Sequence, residues 1–146
     1  MTLKGLCRYE RGQALVEMAL VLPILVVLTL GVMTFGIAIN TKIAVTTAAR
    51  EAARSYAIYA DEAQMRNIAY DTLRSALPCS DEEFNSSFNR YADVTYTVSG
   101  GYVRVTVKYH QSVYVPGLLT LLGGSRIGDS SGRLILSSTA VFKMES

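Results

Sequence analysis

Apolar and polar positions fall into three regimes along the chain: one nearly unbroken apolar block, then helical spacing, then strict alternation. From Ala14 to Ile39 there are 26 residues, and the only ionisable one is Glu17. A helix of that length, at about 1.5 Å per residue, is roughly 39 Å long against a hydrocarbon core of about 30 Å, so it spans a bilayer with length to spare. A cleaved secretory signal is a poor description of this block. Such a signal has an apolar core of about 7 to 15 residues and closes on a small-residue cleavage site, whereas here the run leads into "NTKIAVTTAAREAAR".

The helix is predicted to continue beyond Asn40. Ala44, Ala48 and Ala52 form one i, i+4 stripe, and Ala49, Ala53 and Ala57 form its neighbour. Arg50, Glu51 and Arg54 supply the polar positions around them. A stripe of small residues permits close approach of another helix or of a sheet. "DEAQMRNIAYDTLRSALP" predicts a second helix, with acids at its positive dipole end, Met65, Ile68, Ala69, Leu73 and Leu77 at helical spacing, and Pro78 as the stop. Ser80 stands three residues before Glu83, a capping-box pattern for a short third helix.

From Asp93 the period changes to two. "DVTYTVS", "GG" and "YVRVTVKY" predict a β-hairpin, in which Val103, Val105, Val107 and Tyr109 alternate with Tyr102, Arg104, Thr106 and Lys108. Gly100 and Gly101 supply the positive φ that its tight turn needs. "VPGLLTLLGGS" reads as an apolar loop or single helical turn, and "GRLILSSTAVFKM" as a last strand. The expected fold class is α+β: a long N-terminal transmembrane α-helix over 13–40, an amphipathic continuation over 41–60, and a small extracytoplasmic domain over 61–146 with an antiparallel β-sheet.

Charge and cysteine use refine this picture. Lys4, Arg8 and Arg11 precede the apolar block, while Lys42, Arg50 and Arg54 follow it. The leading tail is short and basic and the following segment long and mixed in sign, which favours a single pass with the N-terminus in the cytoplasm and the C-terminal domain outside. Cys7 and Cys79 then lie on opposite sides of the membrane, so two free thiols are expected. Glu17 is the anomaly. A carboxylate at mid-bilayer costs roughly 2.5 to 3.5 kcal/mol, less near the interface. It is either an acid snorkelling to water or half of a contact made elsewhere, and its position relative to Gly12 favours the second.

A short basic leader ending in Gly12, a cut before Gln13, and a glutamate four residues further on inside an apolar helix resemble the class III signal read by prepilin peptidases. "RGQALVEMALVLPILVVLTLGVMTFG", with "TTAAREAAR" after it, is similar to the TadE-like family of pseudopilins from the tight-adherence (Flp) pilus and secretion machinery, closely over residues 11–54 and more loosely beyond Asp93. The resemblance implies a cytoplasmic leader peptide over 1–12, cleavage between Gly12 and Gln13, and a role for Glu17 in processing and assembly. Cleavage frees an ammonium at Gln13, which Glu17 of a neighbouring helix can face, and two charges costly apart become a paired contact that sets axial register. Removing residues 1–12 takes away Lys4, Arg8, Arg11 and Glu10 and leaves 11 basic and 11 acidic side chains, a neutral subunit that stacks without large net repulsion.

The remaining motifs carry less. Pro23 removes the helical donor to the carbonyl of Ala19, so a helix kink is expected there, either tolerated or used in packing. Gly31 and Gly36 are five apart, so no GxxxG motif is assigned. His110, the only histidine, has no acid or thiol at ligand spacing and is read as a strand-end surface residue. Asp81, Glu82 and Glu83 lack the glycine-punctuated loop of a calcium site and read as helix-start acids. Most tyrosines fall where amphipathic rings edge a core. With no phosphate loop, no nucleophile beside a base and no basic nucleic-acid face, neither an enzyme nor a cofactor, metal or nucleic acid is expected.

By resemblance, the chain is expected to be a minor pilin or pseudopilin of a tight-adherence, type IVc-like pilus or secretion machine. The implied partners are a prepilin peptidase, other pilins, an inner-membrane assembly platform and membrane lipid. The competing reading is an uncleaved single-pass anchor whose outer domain binds a partner in the cell envelope.

Overall fold

A computed structural model describes residues 6–112 and 133–144, with side chains from Gly12 onward. The side chains of the N-terminal tail, Cys7 among them, and the stretch "VPGLLTLLGGS" lie outside the described residues. The elements run α1 (Leu6–Tyr59), α2 (Glu62–Ala76), α3 (Asp81–Ser87), β1 (Val94–Ser99), β2 (Tyr102–Gln111) and β3 (Leu134–Lys143), an α+β order with the strands last. The chain divides into two compact units, Met1–Phe35 and Gly36–Ser146.

The described residues of the first unit form a single helical segment whose large apolar side chains are exposed. Leu15, Leu22, Leu25 and Val32 are all more than half exposed. Residues Gly12–Tyr59 include a window long and apolar enough to cross a membrane. A helix suits that solvent because it satisfies its own backbone. Its hydroxyls follow the same rule: Thr29 Oγ1 donates to the carbonyl of Leu25 and Thr34 Oγ1 to that of Leu30, each at 2.8 Å.

In the second unit, α1 ends at Ala60, whose φ of 51° reverses the backbone while its N–H donates to the carbonyl of Tyr56 at 2.9 Å. The αL conformation at a helix end satisfies a terminal carbonyl but is strained for a residue with a Cβ. Asp61 caps α2 by accepting from the N–H groups of Ala63 and Gln64. The helix stops at Ala76 because Leu77, held extended, precedes Pro78. Ser80 Oγ accepts from the N–H of Glu83 and starts α3, as the Ser80 and Glu83 spacing implied.

The sheet is antiparallel in the order β1, β2, β3. Gly100 and Gly101, at φ 60° and 79°, make the two-residue turn and set the register Ser99 opposite Tyr102 and Val94 opposite Val107. Val103, Val105, Val107 and Tyr109 face inward from β2 and join one core with Val94, Met65, Leu73 and Phe84. Both alanine stripes of α1 enter the same core, Ala44, Ala48, Ala49, Ala52, Ala53 and Ala57 being buried, while Arg50, Glu51 and Arg54 stay exposed. Side chains of one carbon let backbones approach closely, which is what a packed helix of this kind needs.

Both sheet edges receive a basic side chain. Lys42 Nζ donates to the carbonyl of Ser137 on β3. Arg66 Nη1 donates to the carbonyl of Val94 on β1 at 2.6 Å. A cation set on an edge carbonyl blunts strand-to-strand aggregation.

Candidate functional site

The residues of the sequence signature all lie on α1 in the first unit. At Gly12 an added Cβ meets nothing within 4 Å among the described residues. Gln13 and Glu17 are both exposed, and four residues of helix separate them by about 6 Å along the axis, one turn. Glu17 makes no hydrogen bond or ion pair with any described residue. Pro23 sits inside α1. What this arrangement offers is an acid with no hydrogen-bond or ion-pair partner among the described residues, one helical turn from Gln13.

The second unit contributes a network the sequence did not announce. Arg66 is its centre: Nη1 donates to the carbonyls of Arg90 at 2.9 Å, Tyr91 at 3.1 Å and Val94 at 2.6 Å. Nε and Nη2 reach Glu62 Oε1 at 2.9 and 2.7 Å. Tyr96 Oη donates to Glu62 Oε2 at 2.9 Å. The Arg66 guanidinium and then the Tyr96 hydroxyl hold the Glu62 carboxyl below the ordinary carboxylate range. In return, the Tyr96 phenol is pushed up to about 12, first by its hydrogen bond to Glu62 and then by Tyr56, whose ring lies 4.9 Å away.

Asp93, almost buried, ties the turn before β1 together. Its Oδ2 accepts from the N–H of Asn89 at 2.7 Å, and its Oδ1 lies 3.3 Å from His110 Nε2. His110 is therefore half-buried and paired, rather than the strand-end surface residue its local spacing suggested. The two are 17 positions apart and meet only because β2 folds back past the start of β1. Asp81, Glu82 and Glu83 occupy the first turn of α3, where Asp81 accepts from Arg74 Nε at 2.7 Å.

The second unit also has a cavity of about 230 Å³, lined among others by Thr41, Leu77, Cys79, Glu83, Tyr109 and Gln111. Cys79 is a free thiol whose Sγ lies 4.0 Å from Tyr109 Oη. Burial, and then the neighbouring thiol, push the Tyr109 phenol well up. Thr41 Oγ1 is within reach of both the Ile37 carbonyl at 3.0 Å and Gln111 Oε1 at 2.7 Å. Among the described residues no group of three His, Cys, Asp or Glu side chains gathers in a way that holds a metal ion.

Residues important to the second unit that sequence reading passed over are Arg66, Asp93 and Lys42. Each acts on backbone groups or side chains at least 17 positions away, except where Arg66 meets Glu62 one turn back and Asp93 caps its own turn. Only the Glu62 and Arg66 spacing of i, i+4 was visible as a pattern.

No curated protein and no solved structure matches the chain. A family model does: residues 12–54, from the glycine before Gln13 to Arg54 in the packed part of α1, match the family described as TadE-like protein, and it is through this helix that the chain is similar to that family.

Proposed function

We propose that the chain is a non-enzymatic minor pilin or pseudopilin of a tight-adherence pilus or secretion machine. A prepilin peptidase removes residues 1–12 by cutting between Gly12 and Gln13. The helix beginning at Gln13 holds the subunit in the cytoplasmic membrane with residues beyond Asn40 outside. Glu17 then pairs with the freed ammonium of Gln13 on a neighbouring subunit, and the inner-membrane platform draws the helix into the assembly.

The observation that carries this reading is Glu17 itself, an acid with no partner among the described residues, in an apolar helix inside the segment that matches the TadE-like model. A carboxylate near lipid is expensive unless a positive group meets it, and among the described residues the chain supplies none. Removing one member of a desolvated ion pair strands the other, at about 3 to 5 kcal/mol. Glu17→Ala therefore leaves membrane insertion normal and stops assembly.

Mass spectrometry of the N-terminus of the protein taken from cells tests the reading directly. A product that begins at Gln13 supports it. An intact Met1 in cells with an active peptidase refutes it and supports the uncleaved membrane anchor.

A further inference from the structure

The second unit is strongly polar in charge. Residues 61–93, which hold α2 and α3, contain seven acids and three arginines. Those arginines are engaged within the unit: Arg66 on Glu62, Arg74 on Asp81, and Arg90 on Asn67 and over the Tyr70 ring at 4.3 Å. Asp71 and Glu82 are left exposed on the helical layer. The described strand residues, 94–112 and 133–144, contain four basic side chains and no acid.

Three of these four, Arg104, Lys108 and Lys143, share one face by register, while Arg133 donates to the carbonyl of Ser86 on α3 at 2.6 Å. Tyr102 stands opposite Lys143, Arg104 opposite Val141, and Lys108 opposite Ser137, all on the side of the sheet turned away from the core. Arg104, Lys108 and Lys143 are exposed and make no ion pair with a described residue. Between them lie Tyr102, Ile135 and Val141, which are 51%, 44% and 49% exposed. Apolar anchors among unpaired cations make an interface surface with one sign of charge, and its complement is the acidic helical layer on the opposite side of the same unit.

We infer that the outer sheet face of one copy docks on the α2–α3 layer of a second copy, head to tail. A sheet-to-sheet contact between copies brings like charges together, whereas the head-to-tail contact neutralises both faces. It uses different surfaces on the two partners, so it repeats from copy to copy, into a ring where the rotation between copies closes and into a filament where it does not. The inference rests on the assembling-subunit reading above, to which it adds the contact made outside the membrane.

The test uses the full-length chain, taken from membranes in a non-ionic detergent, with a photo-crosslinking side chain in place of Thr106 at the centre of the basic face. Wild-type background gives dimers and larger species in which position 106 is joined to peptides from residues 61–87 of another copy. Arg104→Glu with Lys108→Glu lowers the cross-linked fraction at least about fivefold, as does Asp71→Lys with Glu82→Lys, and a mixture of the two doubly reversed chains restores it. Raising salt to about 0.5 M lowers the wild-type yield in the same direction. Should the reversed sheet variant lose its circular-dichroism melt, Arg104→Gln with Lys108→Gln reads the same loss without reversal.

Unchanged cross-linking in these variants, absence of restoration in the mixture, or a cross-link from position 106 to another protein or to the same face overturns the inference. The N-terminal mass of the same samples separates the two readings. A start at Gln13 with charge-independent cross-linking leaves the pilin reading standing and removes the interface. An intact Met1 with charge-dependent cross-linking does the reverse.

Discussion

Arg66→Met is the most informative perturbation of the second unit, because the substitution keeps most of the apolar stem and deletes the fork. The guanidinium side chain is 13% exposed and serves three carbonyls. Their environments differ. Tyr91 is 74% exposed and its bond to Arg66 faces solvent, so that carbonyl recovers water when the donor leaves, while the bond to Arg90 is partly buried. Val94 is fully buried, and its carbonyl, held at 2.6 Å, loses its partner on an edge that the α2 side chain covers. A stranded buried acceptor costs about 1 to 3 kcal/mol, and the exposed Glu62 adds little because surface ion pairs are weak. The expected loss is therefore about 2 kcal/mol. Urea unfolding of the full-length chain in micelles, followed by near-UV circular dichroism of its tyrosines, measures it. A midpoint for Arg66→Met within about 0.5 kcal/mol of wild type refutes the assignment of Arg66 as the cap of the β1 edge.

Three further outcomes are expected. Ala60→Gly removes the strain of the left-handed end of α1 and stabilises the second unit by about 0.5 to 1 kcal/mol in the same unfolding experiment; destabilisation contradicts the φ of 51° at that residue. Ala52→Leu forces extra carbons into a fully buried stripe and destabilises by about 1 to 3 kcal/mol or more, whereas Glu51→Leu on the exposed side does not. The Tyr96 phenol, pushed up to about 12, ionises later than in the unfolded chain. The stabilisation from its bond to Glu62 is thus present below an ordinary tyrosine pKa of about 10 and is lost as pH rises through the folded value. Ultraviolet titration of phenolate follows this, and Glu62→Gln brings the transition down; an unmoved transition rejects the Tyr96 to Glu62 bond as its cause.

The two parts of the chain use the same helix type in opposite ways. In the first unit the large apolar side chains of α1 are exposed, and the hydroxyls of Thr29 and Thr34 fold back on their own backbone. In the second unit the inward positions of α1 are alanines, which surrender side-chain area for closeness. A switch from large exposed residues to small buried ones along one helix fits a solvent that changes from lipid to protein core.

Much of this was already written in short-range pattern. The apolar block, the alanine stripes, the Asp61 and Ser80 caps, the Pro78 stop and the Gly100–Gly101 hairpin each depend on residues within a turn or a few positions of one another, where propensity and dihedral limits decide. The spacing of Gly12, Gln13 and Glu17 is of the same kind, and together with the apolar run and "TTAAREAAR" it suggested the family that residues 12–54 match. Tertiary structure decided the rest. That Arg66 finds Val94, that His110 finds Asp93, and that Lys42 finds Ser137 follows from how helices settle on a sheet. Periodicity tells which side of an element is buried but not which neighbour it meets, because the partner is chosen by the packing of the whole core and not by any local step of the chain.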